Sequence, residues 1–332
     1  MKIFSFTLAL FLFFISGNEG QQTVKEFKIK KSIHISGNGS WGNLSLDYLS
    51  LRIFVAHGDC VQVIDMNTGH QVGTINHTPG VHNITIVPEF GKGFITAGKI
   101  DSVIVFDVNN YQITNRIPTG KDPDAILFDR FSQRVFTFNA NGNSITVIDP
   151  KTNKIEATVP LRGSPASALT DVSGNIYVSL VKIGIIAMID PVTLETRNML
   201  PVGVDKQPVV IALDKANDLL FCGCRGTNQM IVIDRFSGSV VTTIPIGMHC
   251  EGICYMPAIN EILTSNGEGT VTVIRQDTPD KYSKIQTLVT KRGARTLLCD
   301  YAHQSIYLPV AEYNYDKKDF DPDSFQLLIV SK

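Results

Sequence analysis

The residues with the greatest chemical potential are histidines, carboxylates and arginines that occur singly along the 332-residue chain. His249 and Glu251 are separated by one residue, so an extended segment would place both side chains on one side. Together with His82 they form a candidate site for zinc, copper or another divalent ion, since such metals favour imidazole and carboxylate ligands. The sequence contains no His-Glu-x-x-His motif, phosphate-binding loop or Gly-x-Ser-x-Gly motif, so compact motifs for known hydrolytic chemistry are missing.

Scattered residues of this kind form a site only if a scaffold brings them together, and an internal repeat indicates that scaffold. A phrase of aliphatic residues, one aspartate and turn residues recurs at intervals of 41 to 44 residues, with its aspartates at Asp65, Asp107, Asp149, Asp190 and Asp234. A degraded sixth copy surrounds Arg275, and residues 328–330 occupy the seventh position. Short runs rich in Val, Ile, Phe and Thr lie between turn residues throughout. Four short strands per repeat predict an all-β, seven-bladed β-propeller with four-stranded antiparallel blades.

The repeated aspartates have a structural explanation, because their carboxylates can accept hydrogen bonds from backbone amides of a hairpin turn. The seventh copy ends at the C-terminus with no outer strand after it, whereas residues 27–35 form a strand with no blade before it. We therefore expect the N-terminal strand to complete the last blade and close the ring.

The repeat period and several fixed phrases resemble the YVTN-repeat, or YncE-like, family of exported seven-bladed propellers. The resemblance extends from about residue 41 to residue 330 and is most specific at residues 78–82, 122–126, 265–270, 277–281 and 292–296. It implies the propeller fold and export, and it leaves the function open because propellers support many unrelated activities.

The N-terminus predicts export independently. Residues 1–20 contain one lysine, an apolar run and a small-residue exit, which is typical of a signal peptide cleaved at about residues 17–22. The remaining residues, 21–332, would form one propeller domain that is secreted or periplasmic. In an oxidising compartment, Cys224 and Cys250 are predicted to form a disulfide, and the alternative is a metal site that adds Cys222 and Cys254.

In a propeller, the loops that enter the inner strands and the loops that join the second and third strands meet on one face. We expect these loops to present a polar ring at the mouth of the central channel, where a ligand would bind. The candidate ligand-binding residues are Trp41, His57, His82, Asp124, Asn139, Arg225, His249, Glu251, Asn266, Arg295 and Glu312. Asp59, Asp122 and Asn141 on the same face are expected to be turn residues.

Three functions remain open from the sequence. The favoured hypothesis is a binding protein that holds a small molecule, peptide or protein partner on the polar ring. The alternative is a lactonase-like hydrolase or cyclase that uses the same ring, with or without a divalent metal, and the third is a structural surface protein. The net charge of −1 favours neither nucleic acid nor membrane as a partner, and we expect a monomer with no cofactor other than such a metal.

Overall fold

The structure, a computed structural model, describes residues 25–332. Seven four-stranded antiparallel sheets follow one another along the chain, and the inner strands of successive sheets contact each other around a central axis. The fold is therefore a seven-bladed β-propeller, as the repeat predicted. The signal peptide predicted for residues 1–20 lies outside the described residues.

The strands of blades 1 to 6 are hydrogen-bonded in chain order, and the inner strand comes first. Blades 1 and 2 comprise β2 (Trp41–Asp47), β3 (Arg52–His57), β4 (Cys60–Asp65), β5 (Gln71–Ile75), and β6 (Val81–Val87), β7 (Lys92–Ala97), β8 (Ser102–Asp107), β9 (Ile113–Pro118). Blades 3 and 4 comprise β10 (Pro123–Asp129), β11 (Arg134–Asn139), β12 (Ser144–Asp149), β13 (Lys154–Pro160), and β14 (Pro165–Thr170), β15 (Ile176–Leu180), β16 (Ile185–Ile189), β17 (Thr196–Pro201). Blades 5 and 6 comprise β18 (Pro208–Asp214), β19 (Leu219–Cys224), β20 (Gln229–Asp234), β21 (Val240–Pro245), and β22 (Cys250–Met256), β23 (Glu261–Asn266), β24 (Thr270–Thr278), β25 (Lys281–Val289).

Blade 7 closes the ring with strands from both ends of the chain. It contains β26 (Leu298–Asp300), β27 (Ser305–Val310), β30 (Gln326–Ser331) and, as its outer strand, β1 (Lys28–His34). β1 pairs antiparallel with β30 from Lys28 opposite Ser331 to His34 opposite Gln326. The predicted closure by the N-terminal strand is thus confirmed. A small hairpin of β28 (Tyr313–Asn314) and β29 (Asp319–Phe320) is inserted between β27 and β30.

The hydrophobic content of each strand corresponds closely to its position in the blade. The second and third strands of each blade are rich in Val, Ile and Phe and are almost fully buried, since neighbouring blades cover both of their faces. The outer strands alternate or are largely exposed, as in β13 and β21. Three short 3-10 helices, at Pro88–Phe90, Gly98–Ile100 and Val181–Ile183, are the helical segments of the described chain. Within residues 25–332, no helix has the length and apolar character needed to span a membrane.

The repeated aspartates accept backbone hydrogen bonds in the turns that follow the third strands. Asp65 Oδ1 accepts hydrogen bonds from the amides of Asn67 and Thr68, and Asp234 Oδ1 accepts them from Phe236 and Ser237. Asp107, Asp149 and Asp190 make equivalent contacts. The predicted structural role of these carboxylates is therefore confirmed, and they are not available for chemistry.

A second set of polar side chains links adjacent blades on the face opposite the predicted ring. Asp171 of blade 4 receives a hydrogen bond of 2.8 Å from the guanidinium of Arg235 in blade 5. Asp214 of blade 5 receives one of 2.9 Å from the side-chain amide of Gln276 in blade 6. These buried contacts hold neighbouring sheets in register, because leaving one partner unpaired would be costly.

Candidate functional site

A cavity of about 790 Å³ occupies the mouth of the central channel. It lies on the face where the inner strands begin, and the second residue of each inner strand lines it. In blades 1 to 6 these residues are Gly42, His82, Asp124, Ala166, Val209 and Glu251, and Arg295 occupies the equivalent position before β26. The volume is within the range of small-molecule sites, roughly 300–1,000 Å³.

The ring of second residues is charged in only four blades. His82 and Asp124 belong to blades 2 and 3, and Glu251 and Arg295 belong to blades 6 and 7. Gly42, Ala166 and Val209 at the same position in the other blades leave room between the charged residues. The rigid sheets behind each strand fix these side chains, so the site is formed before any ligand arrives.

Glu251 lies between two arginines. Its Oε1 is 3.1 Å from a terminal guanidinium nitrogen of Arg225, and its Oε2 is 2.9 Å from Nε of Arg295. The Arg295 guanidinium also lies 5.8 Å from the centre of the Trp41 ring, within range of a cation–π contact. Two cations on one carboxylate leave this part of the cavity with a net positive charge.

His82 lies between two carboxylates. Its Nε2 is 3.9 Å from Asp122 Oδ1, and its Nδ1 is 3.9 Å from Asp124 Oδ1. Loss of hydration in the cavity raises the pKa of Asp124, the negative charges of Asp122 and Glu251 raise it further, and His82 opposes the shift. Asp122, expected to serve only in a turn, accepts a hydrogen bond from Asn141 and also takes part in this charged pair.

Six of the eleven predicted site residues line the cavity: Trp41, His82, Asp124, Arg225, Glu251 and Arg295. The structure does not place His57, Asn139 or Asn266 there, although all three end second strands. The side chains of Asn139 and Asn266 bond within their own blades, whereas the His57 ring packs against Phe325, next to β30 of blade 7. Asn139 donates hydrogen bonds to Ser144 and Thr146, and Asn266 donates to Thr270 and Thr272. Their amides fasten the second strand to the third, which is a structural role.

His249 and Glu312 remain at the rim, outside the residues that line the cavity. His249 has a positive backbone φ of 58° just before β22 begins, so it does not share an extended face with Glu251. Its side chain is exposed, whereas Glu251 lines the cavity. Glu312 is also exposed and pairs with Lys291 and Gln326 beside blade 7.

His57 is 2% exposed, and its ring stacks on Phe325 with centroids 3.9 Å apart. Its Nδ1 lies 2.9 Å from Gln62 Oε1, and its Nε2 has no partner among the described residues. Burial lowers the pKa of His57, and the hydrogen bond with Gln62 opposes that shift. Burial therefore favours the neutral form of the His57 imidazole in the folded chain.

This buried imidazole predicts a loss of stability in weak acid. The unfolded chain binds a proton at His57 below a pH of about 6.5, whereas the folded chain resists it. The free energy of unfolding should therefore fall as the pH drops from 6.5 towards the folded-state pKa, by at most about 1.4 kcal/mol per pH unit. Denaturant titrations between pH 5.5 and 7.5, values chosen around the pKa of about 6.5, measure this dependence. The free energy of unfolding of His57→Gln should change less steeply with pH than that of the unaltered chain. Exposed His70→Gln is the control, and an unchanged slope in His57→Gln would contradict the expectation.

The structure does not bring the predicted metal ligands together. His82 and Glu251 stand in blades on opposite sides of the ring, and His249 lies outside it. Among the residues that the structure describes, no three His, Cys, Asp or Glu side chains are arranged to hold a metal ion. The same holds for the alternative site of Cys222, Cys224, Cys250 and Cys254.

All six cysteines are free thiols in the structure, so it does not contain the predicted Cys224–Cys250 bond. Cys224 and Cys250 are both fully buried. The sulfur of Cys224 lies 3.9 Å from that of Cys222, and the Cys250 thiol donates to the carbonyl of Gly252 at 3.5 Å. Burial raises the pKa of Cys250 to about 12. Pairing in an oxidising compartment stays a prediction.

Sequence reasoning missed several residues that line the cavity, including Asn43, Asn83, Lys182 and Thr296. Asn43, Asn83 and Thr296 each follow one of the second residues of the ring, in blades 1, 2 and 7. Aligning the starts of the inner strands would have identified both the second residue of each strand and the residue that follows it as candidates for lining the cavity. Lys182 lies in the 3-10 helix Val181–Ile183 of blade 4, at the position that Lys99 occupies in the equivalent helix Gly98–Ile100 of blade 2.

Comparison with models of known protein families and with curated proteins found no match. The class of protein, a seven-bladed β-propeller with a charged cavity at one mouth of its channel, is therefore defined by the structure. A β-propeller is commonly a binding scaffold.

Proposed function

We propose that this protein is an exported, monomeric binding protein of the YVTN-repeat, YncE-like type, secreted or periplasmic. It holds a small molecule, a peptide or a segment of a protein partner in the central cavity, and it does not use nucleic acid as a partner. The apolar N-terminal run and the repeated phrases support export and the family assignment.

One observation carries the binding proposal. The four charged side chains of the ring, His82, Asp124, Glu251 and Arg295, come from separate blades and lie in ion contacts, most closely in Arg225–Glu251–Arg295. Side chains held in this way lose little freedom when a ligand arrives, which favours binding. A channel serving only the fold would not require charged residues at four of seven equivalent positions.

The experiment is a retention assay on the purified chain. The protein is mixed with a library of polar small molecules and short peptides, separated by gel filtration, and the retained compounds are identified by mass spectrometry. Arg295→Ala should weaken retention of a cavity ligand at least about tenfold, equivalent to 1.4 kcal/mol. Arg162→Ala is the matched control, because Arg162 is exposed on an inter-blade loop and does not line the cavity. Equal retention by Arg295→Ala would contradict the proposal.

The same assay distinguishes the alternative, a lactonase-like hydrolase or cyclase. The raised pKa of Asp124 beside His82 is the observation that favours this function, since a general acid needs a carboxyl that holds its proton. Compounds recovered in a chemically altered form, and unaltered with Asp124→Asn, would support the enzyme. Ligands recovered intact support the binding protein.

A further inference from the structure

The charged residues of the ring form two groups, and Lys182 of blade 4 is a further cation that lines the cavity. The positive group consists of Arg225 and Arg295 on Glu251, from blades 5, 7 and 6. Within the described chain, Glu251 is the sole side chain that these two guanidiniums contact by a hydrogen bond or ion pair. A guanidinium has five N–H donors, so most donors of both residues remain free for a ligand. Arginine forks of this kind match a carboxylate.

The negative group consists of Asp122 and Asp124 around His82, from blades 2 and 3. The distances of 3.9 Å from the imidazole to both carboxylates are too long for direct hydrogen bonds. Two carboxylates share one histidine, so with both carboxyls ionised this group is negative whether or not the imidazole is protonated. Asp124 lines the cavity and has the Asp122 and Glu251 charges as unfavourable neighbours. A second cation beside Asp124 would relieve that repulsion.

The two groups face each other across the channel. Blade 3 and blade 6 are three blades apart, as are blades 2 and 5, and this is the largest separation that a ring of seven allows. A sphere with the cavity's volume of about 790 Å³ is about 11 Å across, and an extended peptide reaches that length with about three residues. Trp41, Ile253 and Leu297 also line the cavity and can contact uncharged atoms of a ligand.

We propose that the cavity binds a short peptide of about three residues with free termini, its carboxylate on Arg225 and Arg295 and its ammonium group on Asp124. This inference rests on the proposed binding function and names its ligand class. A single α-amino acid is too short, because its ammonium and carboxylate groups are both bonded to the same α-carbon. A ligand with only one charge would leave the opposite group of the cavity without a partner, at a cost in affinity.

The test compares four pools of randomised tripeptides in the retention assay: free termini, acetylated at the N-terminus, amidated at the C-terminus, and blocked at both ends. We expect free tripeptides to be retained, and either single block to weaken retention at least about tenfold, equivalent to 1.4 kcal/mol. The comparison changes only the ligand, so it does not depend on any variant folding. Blocked pools retained as well as the free pool would overturn the inference.

Two variants assign each terminus to its partner. Arg295→Gln should weaken retention of peptides with a free carboxylate and leave retention of amidated peptides unchanged. Asp124→Asn should weaken retention of peptides with a free amino terminus and leave retention of acetylated peptides unchanged. Arg162→Gln is the control outside the cavity. Effects that do not depend on the matching terminus would overturn the assignment.

The outcome also separates this inference from the function on which it rests. If the general library yields an Arg295-dependent ligand while no tripeptide pool is retained, the peptide inference is overturned and the binding function stands. If neither library nor tripeptides are retained, both are overturned.

Discussion

A chain that begins at Ser36 is expected to lose the cooperative unfolding of the complete propeller. Without β1, the strand β30 becomes an open edge with unpaired backbone groups, which invites aggregation. The deletion also removes Phe27, Ile33 and Ile35, each buried to 7% exposure or less in the core shared by blades 6, 7 and 1. Losing a buried Phe or Ile side chain typically costs about 2–5 kcal/mol, so three such losses rival the whole stability of a domain, about 5–15 kcal/mol.

Chemical denaturation followed by circular dichroism, together with gel filtration, measures this effect. A chain that begins at Lys25 is the matched control and should unfold in one cooperative transition at the same midpoint as the full chain. A point variant gives a graded version. Phe27→Ala should lower the free energy of unfolding by about 3–5 kcal/mol, because its ring is 1% exposed. If the chain beginning at Ser36 unfolds cooperatively at the same midpoint as the full chain, the ring does not depend on this strand.

Replacing Arg235 by alanine should lower the free energy of unfolding by about 3–5 kcal/mol, the usual effect of removing one partner of a buried ion pair. The Arg235 side chain is 8% exposed and lies 2.8 Å from the fully buried carboxylate of Asp171. It also binds Asp218 at 2.7 Å and donates to the Tyr177 hydroxyl at 3.2 Å. Without the guanidinium, Asp171 would retain a buried charge at the boundary between blades 4 and 5.

The control for this prediction is another ion pair between blades, Arg130 with Glu89 at 3.2 Å, whose side chains are 63% and 38% exposed. Arg130→Ala should change stability by less than about 1 kcal/mol, because water solvates both charges when the pair is broken. Equilibrium urea titrations of the two variants compare them directly. Similar small changes for Arg235→Ala and Arg130→Ala would mean that the buried network does not hold the blades together.

The repeat determined the architecture. Five copies of the repeated phrase with an aspartate, a degraded copy at Arg275 and a last copy at residues 328–330 indicated seven blades, and the N-terminal strand pairs with β30 to close the ring as expected. Both features depend on local sequence: alternating apolar residues form strands, and an aspartate in a turn binds the amides beside it. For the same reason the structural role of Asp65 and its equivalents could be predicted without knowing the fold.

The candidate site was predictable only in part, because a loop residue can point in several directions. His82, Asp124, Glu251 and Arg295 line the cavity as expected, since the regular inner strands direct their second residues inwards. Asn139 and Asn266 appeared equivalent to them in sequence, but hydrogen bonds to the third strand turn both away.

The sequence by itself therefore determined the seven blades, their turns and the face on which polar loops gather. The tertiary structure decided which of those polar residues meet. The pairing of Glu251 with Arg225 and Arg295, and the buried contact of Arg235 with Asp171, join residues 26, 44 and 64 positions apart. Such contacts depend on how one blade packs against the next, and no local propensity encodes that packing.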